Sequence, residues 1–111
     1  MKTKKVDDLT TDELNEQVAL CLGYGIKNIW VNWYTDKSGV AFMLCSEFDP
    51  CHNAKQAFEV IDREKISINY EYNLVVATKA NQVHSLSTAS TALISAMRCF
   101  VKSVKGEEVE L

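Results

Sequence analysis

The chain has 111 residues, 47% of them hydrophobic, with a formal net charge of −3, four cysteines and one proline. That is one domain's worth of chain with material for a real core. It argues against a membrane span, because the longest apolar run, Val40 to Cys45, falls far short of the ~20 residues a bilayer requires, and against duplex nucleic acid as a partner, because no large basic excess is present to release counterions.

Lys2, Lys4 and Lys5 make a short basic start, followed at once by Asp7 and Asp8 and by no apolar signal core. Residues 1–8 are expected to form a mobile arm. Leu9-Thr10-Thr11-Asp12-Glu13-Leu14 then opens a helix: Thr10 can cap it, Glu13 can reach back three residues, and Leu9 can pack on Leu14. Leu14, Val18, Cys21 and Leu22 keep one apolar stripe, and Gly23-Tyr24-Gly25 supplies the stop. Asn28 to Tyr34 and Val40 to Cys45 read as antiparallel strands joined by Thr35-Asp36-Lys37-Ser38-Gly39.

Asp49-Pro50 opens a second helix that ends near Lys65, with Cys51, Ala54, Phe58 and Ile61 turned inward. Ile66 to Tyr70 and Leu74 to Thr78 form a second strand pair, and Lys79 to Leu86 reads as a polar loop. Ser87 to Gly106 is the last helix. Ala89, Leu93, Ala96, Met97, Phe100 and Val104 share its buried face, Thr91, Ser95, Arg98, Lys102 and Lys105 its solvated one, and Ser87 or Thr88 caps it. Residues 107–111 are expected as a mobile acidic tail. The order α-β-β-α-β-β-α predicts an α+β fold: a single-domain layered α/β/α sandwich around a four-stranded, mainly antiparallel sheet.

The chemistry-bearing residues do not assemble into a reactive centre by spacing. Cys45, Asp49, Cys51 and His52 lack the paired-ligand pattern of a zinc site. Cys51 and His52 are adjacent and cannot face one another on a helix. Neither a glycine-rich phosphate loop nor a nucleophile elbow occurs. No metal, cofactor or catalytic residue is therefore expected, and with no secretory signal the four thiols are expected reduced, in the cytoplasm.

Several segments nevertheless point to a family. Leu9 to Asn15 with Val18-Ala19 and Gly23, Phe48-Asp49 with Ala57 to Glu64, and above all Ala92 to Val101 with Gly106-Glu107-Glu108-Val109 give the chain a pattern that resembles the NinX-like proteins of tailed phages and prophages and the related phage alpha-beta-alpha sandwich domain. Where those proteins usually carry a serine-threonine-aspartate run before the central helix and a threonine-proline pair before the last, this chain has Phe48-Asp49-Pro50 and Ser90-Thr91-Ala92. The resemblance implies a three-layer fold and a phage or prophage origin, and it brings no activity or catalytic residue with it.

Two functions from different classes follow. The first is a non-enzymatic accessory protein that binds a host or phage protein through Trp30, Trp33, Tyr34 and the sheet edge. The alternative is a small-molecule or nucleotide-binding module with weak hydrolytic activity, built on Arg98, Lys102 and the loop around His84. A sheet bare on one face would make a homo-oligomer a third expectation.

Overall fold

Both chain ends are tied into the structure by the same short ribbon. The computed structural model describes residues 2–71, 74–79, 82–89 and 91–111. Thr3–Lys5 (β1) pairs antiparallel with Glu108–Glu110 near the other end, Lys4 standing opposite Val109. The stretches expected as an arm and a tail thus meet as two strands. Between them Val6 is fully buried.

Thr11–Cys21 (α1) starts with the predicted capping box. Thr10 Oγ1 accepts from the Glu13 N–H at 3.2 Å, and Glu13 Oε1 accepts from the Thr10 N–H at 2.9 Å. The same oxygen accepts from the Lys4 ammonium at 2.8 Å, so one carboxylate joins the ribbon to the helix. That Lys4 contact, with the Thr10 N–H second, holds Glu13 below its ordinary carboxyl range. A lowered folded-state pKa gives stability that is present above the ordinary value and lost as pH falls. Glu13→Gln keeps the cap's acceptor and removes the charge. Its deficit in thermal stability should be complete near neutral pH and should close as the solution is acidified through and below the Glu13 titration, a comparison that melting curves at stepped pH will make.

Gly25–Ile29 (β2), Val31–Thr35 (β3) and Ala41–Leu44 (β4) form an antiparallel sheet in the order β2-β3-β4. One strand was expected over Asn28 to Tyr34. Instead the chain reverses at Trp30, which sits at φ 69° with Ile29 opposite Val31. The loop to β4 folds as its composition demands: the Asp36 carboxylate accepts from the Ser38 and Val40 N–H groups at 2.9 and 3.1 Å, and Gly39 takes φ 83°.

Ala54–Glu64 (α2) begins later than Asp49-Pro50 suggested. The Asp49 carbonyl closes a turn with the His52 and Asn53 N–H groups, and the Asn53 side chain caps the helix by accepting from Gln56 N–H at 3.1 Å. The shifted start rotates the buried face: Ala57 and Val60 point inward, Cys51 is buried from the turn, and Phe58 is exposed.

Ile66–Glu71 (β5) and Leu74–Lys79 (β6) pair as expected, with Ile68 opposite Ala77. A third strand, Gln82–Ala89 (β7), stands where a polar loop and the start of a helix were predicted. The last helix is therefore Ala92–Lys105 (α3), capped by Thr91, whose hydroxyl accepts from Ile94 N–H at 3.3 Å. Gly106 ends it at φ 86°.

This helix is the centre of the molecule. It touches every strand of the β5–β7 sheet and both α1 and α2. Ser95, Ala96, Met97, Cys99, Phe100, Val101 and Lys102 are all buried, a set that runs around most of its circumference. Ser95, expected in solvent, donates to the Val75 carbonyl at 2.6 Å. Val104, expected in the core, is exposed. Among the described residues the fold is α+β with three α-helices, and in place of the predicted four-stranded sheet with helices on both faces stand two three-stranded sheets and a ribbon. The reason lies in α3: a helix that can be buried all round occupies the middle layer, leaving the β5–β7 sheet outside it. Among the described residues no helix is long and apolar enough to cross a membrane.

Candidate functional site

The hairpin β2-β3 carries the most exposed aromatic side chain among the described residues. Trp30, at its apex, is 98% exposed. Cross-strand pairing places Ile29 beside Val31, Lys27 beside Trp33, and Trp33 beside Leu44, so these five share one face of the β2–β4 sheet. Ile29 and Val31 are exposed on it, and Trp33 is half-buried, its indole N–H donating to the Ile29 carbonyl at 3.3 Å. Trp33 thus braces the turn that displays Trp30.

Tyr34 points the other way. It is buried, with its ring 5.5 Å from Phe48 and 5.9 Å from Tyr24, and Tyr24 in turn meets Phe42 at 4.9 Å. Burial above all pushes its phenol up to about 12. Of the three aromatic residues expected at a binding surface, Trp30 is exposed at the hairpin apex and Trp33 is half-buried on one face of the sheet, whereas Tyr34 anchors the sheet to the body.

Beside that anchor lies a cleft of about 450 Å³, lined by Asp12, Asn15 and Glu16 of α1, Tyr34 of β3, and Cys45, Ser46, Phe48 and Asp49 of the β4–α2 connection. Its frame is hydrogen-bonded. The Asn15 amide donates to Asp49 Oδ1 at 2.7 Å and its carbonyl accepts the Cys51 N–H at 3.1 Å. The Asp49 carboxylate also holds the His52 ring, Nδ1 lying 3.0 Å from each oxygen. Asp49 N–H donates to Gln56 Oε1 at 2.6 Å. Sequence reasoning missed this cleft, since Asn15 and Asp49 stand 34 positions apart and Asp12 and Glu16 read as ordinary helix-surface carboxylates.

The other predicted binding residues are dispersed. Lys102 is buried, with Nζ 2.9 Å from Asp7 Oδ1 and 3.8 Å from Glu107 Oε2, so it locks the segments flanking the terminal ribbon onto α3. Arg98 is half-buried on the same helix. His84 belongs to β7, and its side chain lies outside the described residues. Neither Lys102 nor Arg98 lines the cleft. Lys102→Ala is expected to lower stability by about 2 kcal/mol, through lost packing of the buried stem as much as through the ion pairs, measured by urea unfolding.

Cys21, Cys45, Cys51 and Cys99 form no disulfide. Burial first, and the Asp49 carboxylate next, push the Cys51 thiol up to about 12, so it is a neutral packing group at physiological pH. Among the described residues no three His, Cys, Asp or Glu side chains converge to hold a metal ion.

The family model described as Bacteriophage P22, NinX fits residues 5–103, a span that includes the hairpin, the cleft and most of α3. No curated protein matches the chain.

Proposed function

We propose, from the premise that this chain belongs to the Bacteriophage P22, NinX family, that this phage accessory protein works by binding a host or phage protein in the bacterial cytoplasm. The observation that carries the proposal is Trp30. A tryptophan almost wholly in water, at the apex of a two-stranded projection and in a backbone conformation that L side chains rarely adopt, contributes nothing to the core. Strain of this kind persists where a side chain has to be displayed. Tryptophan is also the residue most enriched among the anchors that dominate protein interfaces. Ile29 and Val31 beside it extend the apolar contact, and Lys27 supplies a charged margin on the same face.

Binding is tested by affinity capture from infected or lysogenic cells, using the tagged parent and a Trp30→Asn variant side by side. A protein retained by the parent and lost with the variant is the expected result. Identical capture by both, or capture of nothing above background across growth conditions, would remove the hairpin from consideration.

A further inference from the structure

The cleft between α1 and the β4–α2 connection has a shape and a lining that specify a guest. Its volume of about 450 Å³ falls within the range of small-ligand sites, roughly 300–1,000 Å³. Its floor is aromatic, the Tyr34 and Phe48 rings meeting edge to face at 79°. Its wall is carboxylate: Asp12 and Glu16 stand one helical turn apart on α1, where like charges repel, and α1 contains neither lysine nor arginine to relieve them.

Among the described residues neither lysine nor arginine lines the cleft, and Asp12 and Glu16 enter no ion pair. Asp49 differs, because its carboxylate is already shared between the Asn15 amide and the His52 ring. Those bonds make it part of a fixed frame. Asn15 is more than nine-tenths buried, and both ends of its amide are engaged, so the cleft is formed in advance of any ligand.

We propose that this cleft binds an organic cation, an alkylammonium or alkylguanidinium group whose charged head sits between Asp12 and Glu16 and whose stem lies against Cys45 and the margins of the almost wholly buried Tyr34 and Phe48 side chains. Carboxylates give such a head charge-assisted hydrogen bonds, and the apolar margins cover its methylenes. A bare metal ion is a poorer fit, since the described residues gather no set of three ligands. The head group is chemically the same whether it is free in solution or carried on a lysine or arginine side chain.

Two probes separate those sources. Isotope-labelled protein is titrated with agmatine, and separately with a short peptide, otherwise uncharged, that carries one arginine, while amide resonances are followed by NMR. Saturable shifts are expected at the Asn15 side-chain amide and along residues 45–49. The double variant Asp12→Asn, Glu16→Gln should weaken binding about tenfold or more; both side chains are exposed, and a melting curve of the variant checks that the fold is kept. Agmatine as the tighter ligand assigns the cleft to a free cation, and the peptide as the tighter ligand assigns it to a partner's basic side chain. No saturable shift by about 10 mM, equal affinity in the double variant, or shifts confined to the acidic residues 107–110 would overturn the proposal. Trp30→Asn should leave the titration unchanged, so this test stands apart from that of the hairpin.

Discussion

Trp30→Asn is expected to leave the protein at least as stable as its parent while weakening its partner at least about thirtyfold. The two effects have separate causes. The indole is 98% exposed, so its removal forfeits almost no burial in the isolated protein. Its φ of 69° is adopted by asparagine with far less strain than by tryptophan. Relief of that strain is worth about 0.5–1 kcal/mol, a rise of a few degrees in melting temperature. In a complex the same ring would be a central anchor, and truncating such an anchor typically costs 2 kcal/mol or more, which is the thirtyfold loss. Calorimetric melting of both proteins and titration of the captured partner measure the two quantities. A variant that melts several degrees lower would mean that the indole supports the hairpin instead of being displayed by it.

Phe100→Ala should bring the protein close to unfolding. Phe100 is only 2% exposed and sits on the central helix among side chains of equal burial. Large-to-small changes of this kind cost about 3–5 kcal/mol, against a total stability of roughly 5–15 kcal/mol for a domain of this size. The midpoint of urea unfolding should fall by about a fifth or more. Val104→Ala, one turn further along but exposed, should stay within about 0.5 kcal/mol of the parent. The contrast separates a helix buried around Phe100 from one whose apolar stripe runs on to Val104.

That contrast also marks where the amino-acid pattern was legible. Local chemistry was read correctly: the Thr10–Glu13 box, the Asp36–Gly39 loop, the Gly106 stop and the β5–β6 hairpin each depend on residues a few positions apart. What escaped depends on partners far away in the chain. Ser95 and Lys102 look like solvent-facing residues until Val75, Asp7 and Glu107 are brought to them. Gln82 to Ala89 has the composition of a loop, and it becomes a strand because β6 offers a free edge and α3 a surface to cover. The reversal at Trp30 has no glycine or proline to announce it, and Asn28 and Asn32, which bond across it at 2.9 Å, stand two residues to either side, so an uninterrupted strand was the natural expectation. The cleft shares that history, since it requires α1 to meet a turn more than 30 positions away.

The central position of α3 bears on how the chain is made. Residues 92–105 follow every element they pack against except the short strand Glu108–Glu110, so a polypeptide growing on a ribosome exposes its apolar helix faces and the inner side of its second sheet until α3 has emerged. At about 5–20 residues per second that interval lasts seconds. Nascent chains stalled or truncated before α3 should be held by chaperones or degraded, and the layers should close together only once α3 is available.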